Sequence, residues 1–263
     1  QLSKEGFIVN LFPVLNDAEQ NTSIVREALG WSPAVLVNIG MPLDNNVVEI
    51  IKASKIPVVH LFDRPKIKFG SCISYNHRAA AFSLVSHLIS RGKKHIGYVH
   101  HGEELFSPLL QRDRFDGFKE AIQNFGGNFI ESKNLKNTHS GERLILGMEF
   151  KIAAGFASGK AFFSDFNEIG NLDALVFGSE MTAVGAIIAC QENGIAVPEQ
   201  LSLTMFDGTE ISEVLSPRIT CLDYTFNRVA EAGSRRILEI VHAIEESFLD
   251  IEVPFSIRIG ETT

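Results

Sequence analysis

Short runs of β-branched and apolar residues alternate with helix-patterned stretches along almost the whole chain, and this alternation restricts the fold more than any other feature. Phe7–Leu11, Ala34–Ile39, Val58–Phe62, Cys72–Tyr75, His95–His100, Ala174–Phe177 and Leu201–Phe206 read as strands. Pro57 pushes Ile56 into extended geometry and so opens the third of them. Between them, Asp17–Leu29 reads as a helix behind an Asn16/Asp17 cap, followed by helices over Asn45–Ala53, Arg78–Ser90, Gln111–Phe125, Glu142–Ala157 and Thr182–Glu192. Gly92, Gly126-Gly127 and Gly194 stand where helices stop. In Thr225–Ile244 the apolar residues Val229, Ala232, Ile237, Ile240 and Ile244 fall near helical spacing. The Gly- and Phe-rich stretch Ser158–Asn171 has no such pattern and reads as a loop or insertion. Strands alternating with helices predict parallel, doubly wound sheets built from right-handed βαβ units. Such sheets bind ligands where their strands end, so the polar residues just after Tyr75, His100, Phe177 and Phe206 are where a site is expected.

Charge and chemistry exclude several functions. With 24 basic and 32 acidic side chains the net charge is −8, a sign that repels phosphate backbones unless the basic residues gather on one face. Arg235-Arg236 and Arg91-Gly-Lys-Lys94 are short and separated and read as solvated helix ends, so this piece by itself is not expected to bind DNA. The three cysteines are widely spaced, with neither a disulfide framework nor a CxxC site, which suits free buried thiols and a reducing cytoplasm. Apolar runs such as Ala34–Val37 and Ala183–Ala189 are too short to span a bilayer, and no apolar leader follows Gln1-Leu-Ser-Lys-Glu5. Neither GxSxG, GxxxxGK[ST] nor HExxH occurs, and His100-His101 would point to opposite faces of a strand. No catalytic residue, metal or cofactor is called for.

Several segments resemble one family. Ile56-Pro-Val-Val-His-Leu-Phe-Asp-Arg-Pro65 is similar to an "IPVV-x-x-DRP" segment, with the Asp one residue late. His87-Leu-Ile-Ser-Arg-Gly-Lys-Lys-His-Ile-Gly97 is similar to "HLI-x-x-GH-x-x-IG", and Arg114-Phe-Asp-Gly-Phe118 to "R-x-x-GF". Asp173–Phe177 with Ala183-Val-Gly-Ala186, Val197-Pro-Glu-Gln-Leu-Ser-Leu-Thr-Met-Phe-Asp207, and Ser216-Pro-Arg-Ile-Thr220 match further segments in the same order. Together they resemble the effector-binding core of LacI/GalR-type transcription regulators, without a DNA-binding headpiece. Asn76-His77, Ser179-Glu180 and Met205-Phe-Asp207-Gly depart from the family at ligand positions, which points to an atypical effector.

The resemblance implies the type I periplasmic-binding-protein-like fold, α/β, with two doubly wound parallel-sheet lobes joined by three crossovers and a small molecule in the cleft. One lobe would hold residues 1–74 and 225–249, the other 75–222 and 250–263. In the family the core opens with a strand and helix, so the first strand and most of the first helix are expected to precede Gln1. Arg114 matches a cleft arginine whose planar fork binds vicinal hydroxyls or a carboxylate; pairing with Asp113 or Asp116 is the alternative. Asp207, at a strand end, would accept hydrogen bonds from sugar hydroxyls or cap Gly208-Thr209. Ser179 matches a ligand-contacting amide or serves as an N-cap. Tyr75 would stack on a ligand or pack in the core. Tyr224 matches a position that reaches the cleft, and His139 stands near the place of a missing stacking aromatic. The expected protein is thus a cytoplasmic homodimer that senses a sugar-like effector, with operator DNA bound through a headpiece. A sugar-binding protein of a transport system is the alternative.

Overall fold

A computed structural model describes every residue except 1, 14–16, 41–42, 66–67, 102–107, 132–145, 153–154, 163–171, 224–225 and 245–246. The chain divides into two units, the first holding Gln1–Asn76, Glu104–Leu110 and Thr225–Pro254, the second His77–Glu103, Gln111–Tyr224 and Phe255–Thr263.

The first unit is built on strands β1 (Leu36–Ile39), β2 (Val58–Leu61), β3 (Ser71–Ser74) and β10 (Asp250–Glu252), parallel and in that order. Helix α1 (Ala18–Gly30) starts where Asp17 accepts the Gln20 N–H at 2.9 Å, and α2 (Asn45–Ser54) where Asp44 accepts from Val47 at 2.8 Å. Each cap satisfies an N–H that a helix start leaves without an intrahelical partner. Val25, Val47, Val48, Ile51, Val58 and Phe69 form the core between them. Helix α8 (Phe226–Val241) has Gly233 against Leu61, where an added Cβ would lie 2.7 Å from a Leu61 methyl.

Two expectations fail in this unit. Phe7–Leu11 forms no strand: Ile8 and Leu11 are 89% and 86% exposed, and β1 is the sheet edge with Ile39 59% exposed. β-propensity reflects packing on a pleated neighbour, and this segment has none. Residues 250–263 were expected in the second unit, yet Asp250–Glu252 pairs with Cys72–Ser74 in the first. Its three residues find an open parallel edge at β3, and only the strand after Pro254 goes to the other sheet.

Inside the first unit His60 is 1% exposed; its Nε2 lies 2.8 Å from the Phe69 carbonyl and its Nδ1 3.3 Å from the Asn38 amide nitrogen. Burial lowers its pKa below 6.5, against the hydrogen bond to Phe69, which favours the proton. The neutral ring therefore contributes its stability above about pH 6.5, and this is lost as the pH falls, because the unfolded chain takes a proton that the folded one refuses. His87 in the second unit is lowered by burial and by Arg91 and acts in the same direction. The urea midpoint should fall between pH 7.5 and 5.5, and fall less in His60→Gln. Equal falls in both proteins would remove His60 from the account.

The second unit carries a seven-stranded sheet of order β11-β9-β8-β7-β4-β6-β5. Its strands are β4 (His95–His101), β5 (Asn128–Glu131), β6 (Leu146–Ile152), β7 (Ala174–Phe177), β8 (Ser202–Met205), β9 (Thr220–Asp223) and β11 (Ser256–Arg258), and only β11 runs antiparallel to its neighbour. Helices α3 (His77–Ser90), α4 (Pro108–Asn124, in this unit from Gln111 onward), α5 (Phe156–Ala161), α6 (Glu180–Glu192) and the short α7 (Ile211–Val214) complete it. β7 and β8 are buried throughout, as strands covered on both faces must be, and Leu175, Phe177, Leu203, Met205, Ala186 and Ile187 lie in the same apolar core. The helix expected over Glu142–Ala157 is instead strand β6 from Leu146 onward, paired with β4 over its whole length. Leu146, Met148, Phe150 and Ile152 alternate with Gly147, Glu149 and Lys151, a period of two that helix propensity masks. The patternless stretch from Ser158 begins inside α5, whose Gly159 sits so close to Thr182 that a Cβ would meet its carbonyl at 2.0 Å.

Cys72, Cys190 and Cys221 are buried and free. Burial pushes the Cys190 thiol up to about 12 and the Cys72 thiol to about 11, so neither is a nucleophilic thiolate at neutral pH.

Candidate functional site

The carboxyl ends of β4, β7 and β8 gather the polar groups of the second unit. Strand β8 runs on through Phe206 into Asp207, which adopts φ +62, a left-handed conformation that Asp tolerates better than most side chains. Gly208 follows because the turn presses against β9: a Cβ there would lie 2.3 Å from Cys221 Sγ and 2.9 Å from the Arg258 guanidinium. Arg258 holds the same loop from outside, donating to the Thr209 carbonyl and to Cys221 Sγ at 3.1 Å. From the other side Glu180, at the start of α6, accepts the Thr209 N–H at 2.9 Å and its hydroxyl at 2.6 Å.

Into this frame α4 delivers Arg114. The helix lies tightly on α3, because Gly117 lets the Arg78 carbonyl approach to where a Cβ would be 2.1 Å away. One turn earlier, Arg114 is 2% exposed. Its Nη2 donates to both Asp207 oxygens at 2.8 and 2.9 Å, its Nη1 to the Gly178 carbonyl at 3.2 Å, and its Nε to His77 Nδ1 at 3.4 Å. The guanidinium also lies 4.3 Å from the centre of the Phe206 ring, a cation–π position. Because Nε–H donates, His77 Nδ1 must be unprotonated. Asp207 keeps 26% of its side chain exposed. The cluster is therefore a nearly neutral, strongly dipolar pair: a buried cation, and a carboxylate whose outer lone pairs still reach solvent.

The candidates named from the sequence separate accordingly. Arg114 and Asp207 are brought together, and Asp116 pairs with Arg112 at 3.8 Å. Ser179 is the residue after Gly178 and the N-cap position of α6, yet its side chain makes no capping bond. Tyr75 is 2% exposed and belongs to the first unit. His139 and Tyr224 lie outside the described residues. His77, Gly178, Glu180 and Thr209 were missed as partners, although Asn76-His77 and Ser179-Glu180 had stood out as departures from the family pattern. Among the described residues no group of three His, Cys, Asp or Glu is arranged to hold a metal, and no helix is long and apolar enough to cross a membrane.

Residues 85–263 match the family model described as a periplasmic binding protein-like domain. The chain belongs to that family. The chain is similar to the HTH-type transcriptional regulator GntR of Pseudomonas aeruginosa, at 21% identity over 93% of this chain and 66% of the relative. The NTD biosynthesis operon regulator NtdR of Bacillus subtilis is 29% identical over 76% of this chain and 60% of its own length. The chain thus spans about two thirds of these curated relatives. Among solved structures, the regulator GntR of Chromobacterium violaceum superposes with a TM-score of 0.82 at 19% identity, covering 99% of this chain and 90% of that one. A LacI family regulator from Enterococcus faecium, solved with bound ribose, gives 0.80 at 17% identity, covering 100% and 89%. In fold the periplasmic binding protein-like chain is thus similar to solved transcription regulators, that LacI family member among them.

Proposed function

We propose that the second unit binds a small, neutral, hydroxyl-rich effector at Asp207, Ser179 and Arg114, and that in the whole protein this binding changes the affinity of a dimeric regulator for operator DNA. The observation that carries the reading is the Arg114–Asp207 pair at the strand ends. Arg114 already balances the carboxylate, so a phosphate would meet no spare positive charge, whereas a hydroxyl can donate to the exposed side of Asp207. The Ser179 hydroxyl, uncommitted as a cap, can add a second contact. The ribose in the Enterococcus faecium relative makes a sugar the first class to try. Regulation requires that the effector favour one arrangement of the protein over another, since equal affinity shifts nothing.

Calorimetric titration with ribose, then with other pentoses, hexoses and their acids, tests the reading. A binder should lose about tenfold or more of its affinity in Ser179→Ala combined with Asp207→Asn, since a buried hydrogen bond to a charged group contributes roughly 1.5–3 kcal/mol. Binding equal to wild type would move the site elsewhere. A homodimer is supported by the exposed apolar residues Ile211 and Val214 on α7, 43% and 81% accessible. Val214→Asp should shift the mass by light scattering from dimer to monomer at micromolar concentration; a monomeric wild type would refute the dimer.

A further inference from the structure

Gln111 stands one turn before Arg114 on α4 and is 5% exposed. Among the described residues its amide oxygen has no hydrogen-bond partner. A buried acceptor in that condition destabilises the fold unless something from outside the chain bonds it. A group kept against such a cost is a mark of function, where stability is given up for binding.

The position of Gln111 shows what could bond it. Residues three and four apart share a helix face, so Gln111 stands over both Arg114 and Phe115. Arg114 reaches the Gly178 carbonyl and Asp207, just past the ends of β7 and β8. The Phe115 ring lies 6.1 Å from the ring of His100, near the end of β4. That face of α4 is thus seated against the carboxyl ends of three strands. Helix α4 links β4 to β5, which run parallel within the sheet, so it returns against the strand direction and starts beyond the strand ends. Gln111 precedes Arg114 by three residues, about 4.5 Å along the helix axis, and helical side chains lean towards the helix start. Its amide therefore stands further out than the guanidinium, on the side where Asp207 keeps 26% of its side chain exposed.

We propose that Gln111 is a specificity-determining residue of the effector site, bonding one hydroxyl of a sugar or polyol while Asp207 accepts from another. The proposal rests on the effector reading above and adds a discrimination to it. A carboxamide carries an acceptor and two donors on one flat tip, and a half-turn about its last bond exchanges them. A hydroxyl, both donor and acceptor, satisfies either orientation. A site holding a buried group meant for one hydroxyl rejects the analogue that lacks it, because the group then stays unpaired.

Gln111→Met, similar in length but without the amide, tests this in two ways. In thermal unfolding of the free protein its midpoint should rise by about 2–4 °C, since the unbonded acceptor is gone. A glutamine that only supports the fold, or that bonds a buried water, would lose stability on the same change. Calorimetric titration with ribose, then with other pentoses and hexoses, supplies a binder, and its monodeoxy analogues follow. Wild type should bind one analogue about tenfold or more weakly than the parent sugar. In Gln111→Met the parent sugar should weaken about tenfold, and its advantage over that analogue should shrink to about threefold or less. Gln123→Met, at an exposed glutamine of the same helix, should change neither midpoint nor affinity. If no sugar binds wild type, the effector reading fails and this proposal with it. If wild type binds every analogue as well as the parent sugar, or Gln111→Met binds the parent sugar undiminished, only the role of Gln111 falls. A midpoint that does not rise in Gln111→Met overturns that role with or without a binder.

Discussion

Asp207→Ala should lower the unfolding free energy by about 3 kcal/mol, measured by urea denaturation at pH 7.5. Arg114 is enclosed, with 3% of its side chain exposed, and Asp207 is the carboxylate that faces it. Removing one member of a buried pair leaves the other charge without compensation, typically at roughly 3–5 kcal/mol. The lower end applies here, since Asp207 keeps 26% exposure and Arg114 retains the Gly178 carbonyl and His77. Asp207→Asn, which keeps an acceptor but no charge, should fall between wild type and the alanine variant. Replacing both partners by apolar residues, Arg114→Met with Asp207→Leu, should recover much of the loss, because neither charge is then stranded. A loss below about 1 kcal/mol for Asp207→Ala would mean that Arg114 finds water by rotating, and that the pair is less rigid than its geometry indicates.

Gly117→Ala should cost about 3 kcal/mol, at the upper end of what overpacking usually does. The new methyl would lie 2.1 Å from the Arg78 carbonyl oxygen and 3.0 Å from Ala81 Cβ, so α4 must move away from α3. Arg114 sits one turn earlier on the same helix, and the shift would carry its guanidinium away from Gly178 and Asp207. Effector affinity should therefore fall along with stability. Gly30→Ala is the control: nothing lies within 4 Å of its Cβ position. There the gain in helix propensity should leave stability unchanged or raise it by up to about 1 kcal/mol. If both substitutions behave alike, steric contact at Gly117 is not what places α4.

The glycine also shows why an apparently weak motif can carry physical content. In Arg114-Phe-Asp-Gly-Phe118 the arginine faces the site, the glycine sets how near the helix comes, and Phe118 is fully buried beneath it. These residues were legible together because a helix places i and i+3 on one face. Asp207 was legible as a polar residue ending an apolar strand. Their hydrogen bond was not, nor were the partners that complete it.

What the sequence determined by itself is what local chemistry decides. Asp17 and Asp44 cap helices because their carboxylates reach an N–H three residues on. Ala174–Phe177 is a strand, and the alternation of strands with helices dictates parallel sheets. Where the determining contact is distant, pattern reading failed. Phe7–Leu11 has a strand's composition and no strand to pair with, β6 became a strand through pairing with β4, and Asp250–Glu252 joined the sheet whose edge was open beside it. The site is the extreme case. Arg114 meets His77, Gly178 and Asp207 across 37, 64 and 93 residues of chain. Helix starts and strand propensities are settled within a turn or two, whereas contacts at those separations depend on the order in which whole strands assemble, and only the folded sheet fixes that order.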